Sequence, residues 1–115
     1  MEIILSIKCP NHYDLVDFYF EKLKLFNIVN DQQESTNLVY KYDNEIMLHI
    51  SKSDVLSDTF KCQIQMPDVQ QHFSALQIEP EFSIQQYPFG DSVTITDLIG
   101  NVIFFYDKNG TWVSY

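Results

Sequence analysis

Sliding the sequence along itself by 57 positions lays Ile7, Pro10 and Asn11 on Ile64, Pro67 and Asp68. The same shift lays Asn44 on Asn101 and Ile46 on Ile103. Identities are sparse, but the order of strands, stops and caps is the same in both halves. An internal duplication of this size predicts two like modules packed side by side. At 115 residues the chain is one domain with room for a single core. Module one is expected at about 2–52, module two at about 59–107, and a C-terminal tail at 108–115.

Local pattern supplies the elements. Residues 2–8 are β-branched and apolar, a strand ended by Pro10-Asn11. Leu15, Val16, Tyr19, Phe20 and Leu23 recur at three and four, an amphipathic helix capped by Asn11. Phe26 to Val29 reads as a short strand, and DQQES (31–35) as a polar loop. Two strands then flank Asp43-Asn44, a hairpin signal. The second half repeats the order: a strand from Phe60 to Met66, a helix capped by Asp68 running to about Gln77, and a strand from Phe82 to Tyr87. After a turn at 88–91, a hairpin of Ser92–Thr96 and Val102–Tyr106 closes the module around Ile99-Gly100-Asn101. The expected fold class is α+β: two βαβββ modules in tandem.

Charge narrows the partners. Acidic residues outnumber basic ones 16 to 7, net −9, and every basic residue is lysine. Without arginine the chain lacks the side chain best suited to bidentate phosphate and base-edge contacts, so nucleic acid is not an expected partner. No apolar run approaches the roughly 18 residues of a membrane span, and the start MEIILSIK lacks the basic flank of a signal peptide. These readings predict a cytoplasmic protein with no membrane partner. Cys9 and Cys62, both in apolar strand-like runs, are expected to be buried free thiols. His12 and His72 fall on the helices and are expected to face solvent.

Two short motifs stand in order within the duplicated pattern: Asp17-Phe18-Tyr19 in the first helix, and Asp97-Leu98-Ile99-Gly100-Asn101-Val102-Ile103 in the last hairpin. Together they resemble the vicinal oxygen chelate superfamily, which includes glyoxalases, extradiol dioxygenases and bleomycin-resistance proteins. Leu98 stands where that family's turn usually has proline. The resemblance covers residues 2–107 and implies a mixed sheet curled into a cup.

In the family's enzymes the resemblance implies a divalent metal, held by one residue from the first and one from the last strand of each module. Carried across one at a time, those positions fall on Ile4, Met47, Lys61 and Phe104, with His49 in place of Met47 if the alignment slips by two. Isoleucine and phenylalanine cannot bind a hard cation, methionine is a soft ligand, and lysine is a cation at neutral pH. The expectation is therefore no metal, no cofactor and no catalytic residue. Strand alternation puts Met47 and His49 on one face, Phe104 and Tyr106 on one face, and Lys61, Gln63 and Gln65 on another, opposite Cys62, Ile64 and Met66. Met47, His49, Lys61, Gln63, Phe104 and Tyr106 are the candidate ligand-binding residues. Aromatic walls with a few polar groups suit a small organic molecule, aromatic or cationic.

The leading expectation is a metal-free binding protein resembling the bleomycin-resistance proteins. Two alternatives stand beside it: an enzyme of the same fold with Lys61 or His49 as acid or base, and a protein-interaction module with a filled cup. The resemblance also implies a homodimer, for which Tyr13, Tyr87, Phe89, Trp112 and Tyr115 are available aromatics.

Overall fold

The first strand of each half turns alternate residues inward, Ile7 and Cys9 in one and Ile64 in the other, and pairs in parallel with the last strand of the same half. A computed structural model describes residues 2–76, 82–87 and 90–107, with 82–87 and 90–91 described by backbone alone. It divides into two compact units, Met1–Asp58 and Thr59–Tyr115. The first contains β1 (Ile3–Cys9), α1 (His12–Asp17), a π-helical turn (Phe18–Lys22), β2 (Phe26–Gln32), β3 (Ser35–Tyr40) and β4 (Ile46–Lys52). The second contains β5 (Lys61–Gln65), α2 (Val69–Ala75), β6 (Phe82–Tyr87), β7 (Gly90–Thr96) and β8 (Val102–Tyr106). Strand orders are β1-β4-β3-β2 and β5-β8-β7-β6, with the first pair of each sheet parallel and the rest antiparallel. The class is α+β, two βαβββ modules in tandem.

One face of each sheet is the core. In the first unit, Ile7, Leu38, Leu48 and Ile50 are fully buried. Against them pack Leu15, Phe18 and Tyr19 from the helical segment, with α1 resting on β4. Aromatic rings continue this core: Tyr19 meets Phe26 edge to face at 5.7 Å, and Phe26 meets Tyr40 in a tilted pair at 5.4 Å. In the second unit Ile64, Met66, Val93, Ile95, Ile103 and Phe105 are buried with Val69 and Phe73 of α2, which packs on β7.

The core's placement of Tyr40 has a consequence at high pH. Burial pushes the Tyr40 phenol far above its ordinary 10.0, and Tyr42 and Asp43 add to the shift. Folded Tyr40 therefore holds its proton where the unfolded residue loses it. Its contribution is intact below about pH 10 and is lost as pH rises beyond that. Urea midpoints should fall with pH above about 10, and Tyr40→Phe should flatten that fall. An unchanged slope in Tyr40→Phe would remove Tyr40 as its origin.

Several local expectations are corrected. Asn11 and Asp68 occupy the N-cap positions, but neither side chain makes a capping bond. Instead, Asp68 adopts left-handed backbone at φ 53°, and its N–H donates to Asp107 Oδ2 at 3.1 Å. The DQQES segment is mostly strand: β2 runs to Gln32 and β3 starts at Ser35, which leaves Gln33-Glu34 as the turn, with Asp31 Oδ1 accepting from Thr36 Oγ1 across the hairpin. Helix α2 ends at Ala75; Gln77, the turn at 88–89 and the tail 108–115 lie outside the described residues.

His12 does not face solvent. It is 2% exposed, because it begins the same helical stripe as Leu15 and Tyr19, and its Nε2 has no hydrogen-bond partner among the described residues. His72 is half-buried, its ring edge-on to Phe73 at 5.4 Å. Neither cysteine is in a disulfide; Cys9 is buried as expected, but Cys62 is only half-buried. Tyr13 is exposed, with its hydroxyl donating to the Gln33 carbonyl. Phe89, Trp112 and Tyr115 lie outside the described residues, and Tyr87 is described by backbone alone. Among the described residues no helix is long and apolar enough to cross a membrane.

Candidate functional site

The Asp97–Asn101 loop sets the register of the second module's last strand, and so decides which side chains become neighbours. Asp97 Oδ1 accepts from the Ile99 and Asn101 backbone N–H groups at 3.0 and 2.9 Å, and Oδ2 accepts from Asn101 Nδ2 at 2.8 Å. Asn101 Oδ1 in turn accepts from the Phe60 N–H at 2.9 Å, tying the hairpin to the start of β5. Gly100 sits at φ 100°, a left-handed conformation that suits glycine. Both Asp97 and Asn101 are buried. The motif that carries the resemblance thus acts as a structural lock on the hairpin.

From that lock the β8 register follows. Lys61 lies beside Val102, Gln63 beside Phe104 and Gln65 beside Tyr106. Across β8, Thr96 lies beside Val102, Thr94 beside Phe104 and Ser92 beside Tyr106. Since paired residues point to the same side, three rows stand on one face: Lys61–Val102–Thr96, Gln63–Phe104–Thr94 and Gln65–Tyr106–Ser92. Phe104 and Tyr106 are half-buried and stack with ring centroids 6.2 Å apart and planes 22° apart. A concavity of about 340 Å³ opens here, lined by Lys61, Cys62, Gln63, Thr94, Val102 and Phe104.

Burial pushes the Cys62 thiol up from its ordinary value, so at neutral pH it is a protonated thiol rather than a nucleophilic thiolate. The face offers an aromatic pair, an ammonium, an amide and a hydroxyl. That set can bind and orient a small organic molecule.

Four of the six sequence-derived candidates, Lys61, Gln63, Phe104 and Tyr106, therefore share this face. The other two, Met47 and His49, share a face of the first unit's sheet. There Ile4, Met47 and Val39 form one row, and Ser6, His49 and Asn37 the next. His49 Nδ1 is hydrogen-bonded to Asn37 Oδ1; with that oxygen accepting, Nδ1 carries the proton.

Register also corrects the 57-residue equivalence in one place. It holds between β1 and β5 and between β3 and β7, since Ser6 and Gln63, and Asn37 and Thr94, occupy like rows. It fails for the last strand: the row partner of Ser6 is His49 and that of Gln63 is Phe104, an offset of 55 from 104 − 49. Between row partners Val39 and Met47 lie seven residues, and between Thr96 and Val102 five. Phe104 is thus the counterpart of His49, and Met47 that of Val102.

Thr94 and Val102 line the concavity and were not singled out from sequence. The signal was present in VTIT, where Val93 and Ile95 alternate inward and leave Thr94 outward. Pairing the strands across residues 97–101 places Thr94 opposite Phe104.

The residues do not fit the divalent metal of the fold's enzymes. With the register corrected, the candidate rows hold Ile4 with Met47, Ser6 with His49, Lys61 with Val102, and Gln63 with Phe104. His49 and Gln63 are the best donors in these rows, one in each unit, far short of a three- or four-ligand set. Among the described residues no group of three or more His, Cys, Asp or Glu could hold a metal ion.

No family model matches the sequence, and no curated protein matches it either. Solved structures do match, over nearly the whole chain. A glyoxalase/bleomycin resistance protein from Streptomyces sp. CB03234 superposes with a TM-score of 0.72 at 19% identity, over 92% of this chain and 99% of that one. A bleomycin-binding protein from bleomycin-producing Streptomyces verticillus, complexed with copper(II)-bleomycin, gives 0.68 at 15% identity, over 93% and 95%. A lactoylglutathione lyase from Agrobacterium tumefaciens gives 0.63 at 15% identity, over 93% and 92%. The chain has the fold of these glyoxalase and bleomycin-resistance proteins. Binding proteins and an enzyme share that fold, so the site decides between them.

Proposed function

We propose that this protein binds a small organic molecule, without a metal, against the aromatic face of its second module. The observation that carries the reading is the stacked, half-exposed Phe104–Tyr106 pair beside a concavity of about 340 Å³ edged by Lys61, Gln63 and Thr94. A half-exposed aromatic pair on a sheet whose other face is already core leaves apolar surface for a ring to cover. The volume lies at the low end of ordinary small-molecule pockets. The fold is shared with a bleomycin-binding protein, which supports binding as its use. Among the described residues no acid–base pair accompanies Lys61 on this face, which argues against turnover. A homodimer in the cytoplasm completes the proposal.

Native mass spectrometry of freshly purified protein tests it. The expected species is a metal-free dimer carrying an organic adduct that denaturation releases. Phe104→Ala should weaken retention about tenfold, since a stacking contact and its buried area amount to roughly 1.4 kcal/mol. A stoichiometric divalent metal, or equal retention by Phe104→Ala, would overturn the reading.

A further inference from the structure

The same face carries information on the ligand's charge. Among its described side chains, Ser92, Thr94, Thr96, Gln63, Gln65 and Tyr106 are uncharged polar groups at neutral pH, and none is a carboxylate. Lys61 is the single charged one, is exposed, lines the concavity, and has no ion-pair partner among the described residues. Elsewhere the chain is acidic, net −9, which by itself would favour a cation.

Distance decides between the two influences. At physiological ionic strength exposed charges are screened beyond about 8 Å, whereas a ligand group at hydrogen-bond distance from an ammonium is not. The local lysine therefore outweighs the remote carboxylates for a molecule seated in this concavity. Phe104 and Tyr106 supply a stacking surface in the adjacent rows, and the Gln63 amide and Thr94 hydroxyl can each donate to an oxyanion.

Resting on the binding reading above, we infer that the site selects a planar aromatic acid: a one- or two-ring system stacked along Phe104, with its carboxylate on Lys61. An aromatic cation meets an unpaired ammonium in the same place and is disfavoured.

Three probes of one shape separate the possibilities: 2-naphthoate, 2-naphthamide and 2-naphthylmethylammonium. Each is titrated into ¹⁵N-labelled full-length protein and followed through the backbone amides. All effective probes should shift the Gln63, Thr94 and Phe104 amides. The acid should bind about three- to fivefold tighter than the amide, the range of an exposed ion pair, and the amine should bind weakest. Added salt should narrow the gap, and Lys61→Met should bring the acid-to-amide ratio to about one.

Equal affinities for the three probes at those amides would overturn the charge selection while leaving the binding site in place. No shift at those amides from any probe up to millimolar concentration would overturn the site itself, and this inference with it.

Discussion

Asp97→Ala is expected to lower the free energy of unfolding by about 3 kcal/mol or more. The carboxylate is buried and accepts three hydrogen bonds, two from backbone N–H groups and one from Asn101 Nδ2. A bond to a charged acceptor contributes about 1.5–3 kcal/mol, and each buried donor left without one costs a similar amount. Relief of the desolvation of a buried carboxylate offsets part of that sum, which is why the estimate stays near the lower end. Loss does not stop at the turn. Asn101 no longer has its Nδ2 anchored, so its bond to the Phe60 N–H loosens, leaving the Val102 N–H to Phe60 carbonyl bond and the β5–β8 ladder to hold the hairpin there. Urea denaturation measures the first effect and amide exchange at Phe60 the second. A loss below about 1 kcal/mol would show that the lock is dispensable.

Phe105→Ala should cost about 3–5 kcal/mol, whereas Phe104→Ala, one residue away, should cost about 1 kcal/mol or less. Phe105 is fully buried, beside Ile64 and Val93 in the ladder, with its ring 5.6 Å from that of Phe73 on α2. Its removal leaves a cavity between sheet and helix that packed neighbours fill only in part. Phe104 points to the opposite face and is half-exposed, so its truncation removes stacking surface without opening the core. Thermal unfolding of the two variants checks both halves of the prediction. Equal destabilisation would mean that the two faces of β8 have been assigned wrongly. The expected split, with Phe104→Ala losing ligand and Phe105→Ala losing stability, ties the site to one side of one strand.

Much of this was legible in the sequence because a strand's period is two and a helix's 3.6. Cys62, Ile64 and Met66 against Lys61, Gln63 and Gln65 can be read straight from the letters, and the two βαβββ units follow from the repeated stops at Pro10 and Pro67. What escaped depended on contacts that no local pattern carries. His12 reads as a polar residue at a helix start, but it is drawn inside because Leu15 and Tyr19 pack on the same side. Asn11 and Asp68 have the right chemistry for caps, yet backbone conformation at each turn directs their side chains elsewhere. Thr94 became a site residue only through pairing with β8, a contact between strands that alternation within one strand does not reveal. The His49–Phe104 equivalence was hidden by a hairpin-length difference, since matching by a constant shift assumes that loops are equally long.

That difference is two residues, and its parity matters. A connection shortened by one would rotate every later side chain through half a turn, sending Phe105 to solvent and Phe104 into the core. A connection shortened by two leaves inside and outside untouched while it slides the outer residues one row along their neighbours. Duplicated modules of this kind can thus diverge in even steps, keeping an old interior and dealing a new set of partners across the exposed side. The ligand preferences of the two halves would then be free to separate without either having to refold.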